Sequence, residues 1–158
     1  MPVVACMAAT LVREHHALDP ARFMAFPEPI EPNYQRYLTS EILNSQAVLL
    51  VAVGGSADSG VQPVLGYAWG QMRGRDYMAM LDEGACVQDL YVLSEARRRG
   101  VARALLQAMV AALRELGARR IVLHTAAANP AAQALFRGLG FRPTMVEMTL
   151  TASDRPHA

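Results

Sequence analysis

The chain has 158 residues, a net charge of +1 and a hydrophobic fraction of 53%. At this length one domain buries about 70% of the surface its unfolded chain exposes, and the near-neutral charge excludes a protein that binds polyanions by bulk charge. Two cysteines, Cys6 and Cys86, are too few for a disulfide framework or a zinc site, and no apolar run reaches the ~20 residues of a membrane span. A cytoplasmic protein is expected, with neither nucleic acid nor membrane as a partner.

In chain order, the start "MPVVACMAATLVREHH" lacks the basic stretch of a signal peptide. Its alanines, Met7 and Leu11 favour a helix over Val3 to His16, with Pro2 suited to the first helical position. Prolines at 20, 27, 29 and 32 mark an irregular loop. A second helix is expected from Tyr34 to Asn44. "AVLLVAV" (Ala47 to Val53) reads as a buried strand closed by the turn-rich "GGSADSG". "VLGYAWGQMR" (Val64 to Arg73) pairs with it as a hairpin, and "ACVQDLYV" (Ala85 to Val92) forms a third strand.

Gly100 to Leu116 carries the clearest helical period: Val101, Leu105, Ala108, Met109, Ala112 and Leu116 form one stripe, and Gly117 suits a left-handed helix end. "RRIVLHTA" (Arg119 to Ala126) is expected as a strand. Asn129 then caps a helix that has Pro130 at its first position and stops at Gly140. "TMVEMTL" (Thr144 to Leu150) is expected as a last strand. The order implies one mixed α/β domain over residues 1–150, with a polar tail at 151–158. If Val3 to His16 is helical, no strand precedes it. The sheet then exposes an edge, which favours pairing with a second copy and hence a homodimer.

The arginine run Arg97, Arg98 and Arg99 is the oddest feature. A helix start carries a partial positive charge and favours anions. Three cations there suggest either a solvated face or a bound anion. The turn at Gly100 offers backbone N–H groups, with the small Gly100 and Ala102 where a phosphate approaches. A P-loop is excluded because the chain has no lysine, and the dinucleotide fingerprint G-x-G-x-x-G is absent.

"DLYVLSEARRRGVARALL" (Asp89 to Leu106) resembles the acetyl-CoA signature of the GNAT acetyltransferase superfamily: a hydrophobic strand, then [Q/R]-x-x-G-x-[G/A], then an amphipathic helix. "NPAAQALFRGLGF" (Asn129 to Phe141) is similar to that family's second motif, in the same order along the chain. The resemblance implies a GNAT-type fold: a mostly antiparallel, twisted α/β sheet flanked by helices. It implies acetyl-CoA as cosubstrate and no metal. The CoA pyrophosphate would take backbone N–H groups of Arg98, Arg99, Gly100, Val101, Ala102 and Arg103, beside Arg97. The pantetheine arm would pair with Leu90, Tyr91 and Val92, and Asn129 and Phe136 would line the thioester end. Asn129 is equally well explained as a helix cap, and Phe136 as core.

Acetyl transfer needs a neutral amine. At pH 7 an amine of pKa about 10.4 is neutral in about one molecule in 2,500, a cost of roughly 4.6 kcal/mol, so a base matters. The leaving thiolate, with a pKa near ~8.5, needs less help. The family's second motif carries a tyrosine acid where this chain has Phe136. Relatives place a glutamate on the strand before the arginine run. Here the face Cys86, Gln88 and Leu90 carries no carboxylate, and alternation turns Asp89 to the other face. His124 is then the first candidate base, followed by Glu83 or by water held by Gln88; a hydrogen-bonded structural histidine is the competing reading. His15 and His16 are adjacent on a helix and cannot face one metal ion. Tyr67 and Trp69 are expected in the core or at a wall of the acceptor pocket. The expected acceptor is the primary amine of a polyamine, an amino acid or an aminoglycoside. A protein N-terminus or lysine is the alternative, and an acyl-CoA-binding protein with little catalysis is the rival of a different class.

Overall fold

In the computed structural model, residues 1–55 and 62–150 are described. Most of the "GGSADSG" turn and the expected polar tail lie outside them. Helix α1 spans Pro2–Leu18, longer at both ends than expected, with Pro2 in its first turn. Helix α2 covers Glu31–Glu41. It starts before the expected Tyr34 because Pro32 sits in the first turn, where its missing N–H costs nothing. Strands β1 (Ala47–Val53), β2 (Val64–Arg73) and β3 (Gly84–Val92) follow, then one 3₁₀ turn at Ser94–Ala96, helix α3 (Val101–Glu115), strand β4 (Ile121–Leu123) and helix α4 (Pro130–Arg137).

The sheet runs in the order β1-β2-β3-β4. The first three strands are antiparallel neighbours, and β4 lies parallel to β3. Among the described residues no strand precedes α1, so β1 is one edge of this sheet and β4 the other.

Side-chain alternation along β2 sends Tyr67 and Trp69 to one face and Ala68 to the other. On the first face α1 and α2 bring Val4, Met7, Ala8 and Leu38 against Tyr67, Trp69 and Tyr91. On the second, α3 packs Leu105, Leu106, Met109 and Leu113 onto Ala68, Ala85, Val87 and Val92. Phe136, Leu139 and Phe141 join that second core from α4 and the turn after it. Gly70 lets α3 come close: a Cβ there would stand 3.0 Å from the Met109 sulfur and 3.0 Å from the Cys86 carbonyl oxygen.

Two expected strands differ from the structure. The one placed at Arg119 to Ala126 shrinks to Ile121–Leu123. Its ladder ends at Val87↔Leu123, the last residue of β3 before a bulge, so residues 124–126 have no partner strand. The expected last strand, Thr144 to Leu150, is not hydrogen-bonded into the sheet. Met145, Val146, Met148 and Leu150 are each more than three-quarters exposed. The segment is tethered instead by an ion pair between Arg22 and Glu147.

Candidate active site

The pairing of β2 with β3 slips at one point. Trp69 lies opposite Asp89 and Gly70 opposite Val87, which leaves Gln88 as an extra, unpaired residue. The bulge reverses the alternation. Ala85 and Val87 face α3, but beyond the bulge Leu90 and Val92 take that side. Asp89, opposite Trp69, and Tyr91 therefore face α1 and α2. This corrects the sequence expectation twice: Leu90 does not share a face with Cys86, and the Cys86 face does hold a carboxylate, that of Asp89. Strict alternation missed it because a one-residue bulge inverts every position after it.

The bulge also marks where the sheet opens. β3 and β4 pair only over Ala85 to Val87, so β3 from Gln88 onward has no β4 neighbour. Leu90, Tyr91 and Val92 lie in this unpaired stretch, although the Val92 carbonyl already accepts a bond from Arg97 Nε at 2.9 Å.

Asp89 accepts a hydrogen bond from the Tyr67 hydroxyl at 3.0 Å, its one partner among the described residues. Burial pushes its carboxyl above the ordinary range, opposed by the Tyr67 bond and the nearby His15. The Tyr34 phenol is pushed up to about 12 by burial, with the Asp89 charge adding to it. Asp89 lies at one wall of a cavity of about 400 Å³, whose other walls are Leu11, Val12 and His15 of α1, residues 22–24 and Phe26 of the following loop, and Tyr34 of α2.

The loop is fixed in place. Arg13 makes a two-bonded pair with Glu28, at 2.9 and 2.8 Å, and reaches Glu31 at 2.9 Å. His16 Nδ1 stands 2.6 Å from the Phe23 carbonyl oxygen, and the His15 ring meets the Phe23 ring edge-on at 5.0 Å between centroids. The adjacent histidines thus serve the loop. Among the described residues no cluster of His, Cys, Asp and Glu is placed to hold a metal ion, and no helix is long and apolar enough to cross a membrane.

The arginine run divides by role. Arg97 turns back to bond Glu14 of α1 at 2.8 and 3.1 Å and lies over the Tyr91 ring at 5.5 Å, so its side chain is a structural tie. Arg103 reaches the Gly138 carbonyl at 3.3 Å, at the end of α4. Arg98 and Arg99 have no side-chain partner among the described residues, and both are exposed. Arg98 at φ +61° and Gly100 at φ +82° are both left-handed. Alternating handedness turns successive N–H groups to one side, the geometry of an anion nest. A non-glycine residue held left-handed is strained by about 1 kcal/mol or more, which marks this turn as a functional candidate. α3 has no side-chain cap, so the N–H groups of Val101, Ala102 and Arg103 have no acceptor within the helix. A Cβ on Gly100 would meet no atom within 4 Å, so the turn is open to a ligand.

The remaining candidates are scattered. His124 follows the last residue of β4 and is exposed. Ile121 and Leu123 pack toward α3, and His124 is not among the residues that line the Asp89 cavity. Glu83 does not join this group. It lines a separate hollow with Arg73 and Arg119 at the other end of β3, and the six residues from there to Asp89 span about 20 Å at strand spacing. Gln88 is the half-buried bulge residue. Asn129 caps α4 by accepting from Ala132 N–H at 3.1 Å. Phe136 meets Phe141 edge-on at 6.2 Å in the α3-side core.

Residues 13–141 match the family described as "Acetyltransferase (GNAT) family". No curated protein matches the chain in sequence. Among solved structures, a tetramutant protein from Bacillus halodurans is similar at a TM-score of 0.74 and 17% identity, over 94% of this chain and 91% of its own. An aminoglycoside 6′-N-acetyltransferase from Acinetobacter haemolyticus is similar at 0.62 and 18%, over 80% and 84%. An aminoglycoside N-acetyltransferase solved with CoA is similar at 0.63 and 20%, over 90% and 86%. At these identities the likeness concerns the fold alone.

Proposed function

The chain belongs to the GNAT acetyltransferase family, and from that premise we propose that it transfers acetyl from acetyl-CoA to the primary amine of a small molecule, with Asp89 as general base. The carrying observation is where Asp89 stands. It lies on the bulge just past the point where β3 and β4 separate, at the wall of an apolar cavity, with a carboxyl raised by burial. A carboxylate with a raised pKa accepts a proton better than an ordinary one.

The two substrates enter from different sides of the opened sheet. The Arg98–Arg103 turn receives the CoA phosphates through backbone N–H groups and the α3 dipole, with Arg98 and Arg99 as free cations beside them. The pantetheine arm runs along the part of β3 that has β2 but no β4 beside it, which brings the thioester to the bulge. The amine enters the cavity as an ammonium, attracted by Asp89. Asp89 takes one proton, the nitrogen attacks the carbonyl carbon, and the C–S bond breaks. A backbone N–H of that β3 stretch stabilises the charge that develops on the carbonyl oxygen. The sulfur leaves as thiolate and takes up the second proton of the nitrogen, directly or through water, which leaves the neutral amide, while the proton held by Asp89 passes to solvent. No phenol is needed at Phe136, in keeping with its place in the core. His124, the exposed residue after β4, is the second candidate base.

Turnover of acetyl-CoA against a panel of primary amines, with the acetylated product detected by mass spectrometry beside CoA calorimetry, tests this reading. Product formation is expected. CoA binding with no product from any amine would leave an acyl-CoA-binding protein. The open edges of β1 and β4 also favour a homodimer; a clean monomer at micromolar concentration in sedimentation would contradict that.

A further inference from the structure

The acceptor cavity has a composition of its own, and we infer that it selects a primary monoamine on an aromatic or apolar stem rather than a polyamine or an aminoglycoside. The inference rests on the acetyltransferase reading above and narrows its substrate class.

Asp89 is the one carboxylate among the residues lining the cavity. The one obligatory cation there, Arg22, is already occupied: it pairs with Glu147 and lies over the Phe23 ring at 5.0 Å. One ammonium can therefore be neutralised. A second or third amine, as in spermidine or an aminoglycoside, would enter walls with no further carboxylate. Against these half-exposed apolar walls a second ammonium would give up part of its hydration and gain no carboxylate partner among the lining residues.

The remaining walls are apolar or aromatic: Leu11, Val12, Phe23, Met24, Phe26 and Tyr34. Met24 is 65% exposed and Phe26 45% exposed. Large apolar side chains left open beside a cavity gain free energy when a ligand's own apolar surface covers them. Rings also attract an ammonium through their faces. At about 400 Å³ the space is at the small end of the usual ligand pockets, roughly 300–1,000 Å³. It suits one ring on a short chain better than several linked sugars.

Initial rates at saturating acetyl-CoA are compared for 2-phenylethylamine, spermidine and kanamycin. The expected kcat/KM for 2-phenylethylamine exceeds that of either polycation by at least ~10-fold. Phe26→Ala is expected to raise KM for 2-phenylethylamine by about 10-fold while CoA affinity in calorimetry stays within about 2-fold. A preference below ~10-fold, or for a polycation, overturns the inference and leaves the acetyltransferase reading in place. Bound CoA with no acetylation of any of the three overturns the inference, and the wider amine panel then decides the acetyltransferase reading.

Discussion

The two halves of the site are built from different materials. The proposed CoA side is a contiguous stretch, residues 97–103, which offers backbone N–H groups and two exposed arginines, Arg98 and Arg99, without a side-chain partner among the described residues. The acceptor side gathers side chains from α1, the loop after it, α2 and β3. Between them α1 serves both: Glu14 holds Arg97 on one side, and Leu11, Val12 and His15 wall the cavity on the other. A site made of backbone can be read from a local pattern of glycine, small residues and charge. A site made of side chains from distant segments becomes visible only when the chain is folded.

The largest effect that would break this contrast is on the CoA side. Gly100→Val puts a β-branched residue at φ +82° and a side chain over the open turn. CoA affinity in calorimetry should fall by at least ~30-fold, about 2 kcal/mol. Unchanged affinity in the folded variant would move the phosphates elsewhere.

Tyr67→Phe acts on the acceptor side through Asp89. It removes the one described donor to that carboxylate while keeping the ring in the core. The donor favours the ionised form, so its loss raises the Asp89 pKa further. The titratable groups around Asp89 are Tyr67 from β2, Tyr34 and Tyr37 from α2 and His15 from α1, with Arg22 of the loop lining the same cavity. The acidic limb of the kcat/KM profile should shift to higher pH, with the loss confined to that limb and the plateau above it little changed. An unmoved limb would separate Asp89 from the rate.

Phe136→Tyr restores the missing phenol. Because the thiolate is a fair leaving group, a gain below ~10-fold is expected; a gain near 10³-fold, about 4 kcal/mol, would show that an acid limits the enzyme. His124→Ala is expected to cost less than ~5-fold in kcat/KM. A loss of ~100-fold or more would make His124 the base in place of Asp89.

The same division explains what was legible before folding. β1 and β2 match their expected bounds, because short apolar runs bounded by turn residues define a strand locally. α3 and the Asn129 cap were likewise plain from period and capping chemistry. Strict alternation turns Asp89 to the wrong face, since nothing in "CVQDLYV" marks Gln88 as the bulge. Thr144–Leu150 has a strand's composition, but a strand needs a partner edge, which composition does not supply. Arg97 looked like its neighbours in the run, and only the fold pairs it with Glu14, a residue far back in the chain.

The central claim is that Asp89 does chemistry on an amine while a separate turn holds CoA, and Asp89→Asn tests it most directly. Burial raises the folded carboxyl above its unfolded value, so ionised Asp89 costs stability once the pH passes its unfolded pKa. The neutral variant should therefore melt no lower than the wild type at pH 7. CoA affinity measured by calorimetry on that variant should stay within about 2-fold, while kcat/KM for the amine falls by about 10²–10⁴-fold. A folded Asp89→Asn protein that acetylates amines at nearly the wild-type rate, or that loses CoA binding in step with turnover, would contradict the account.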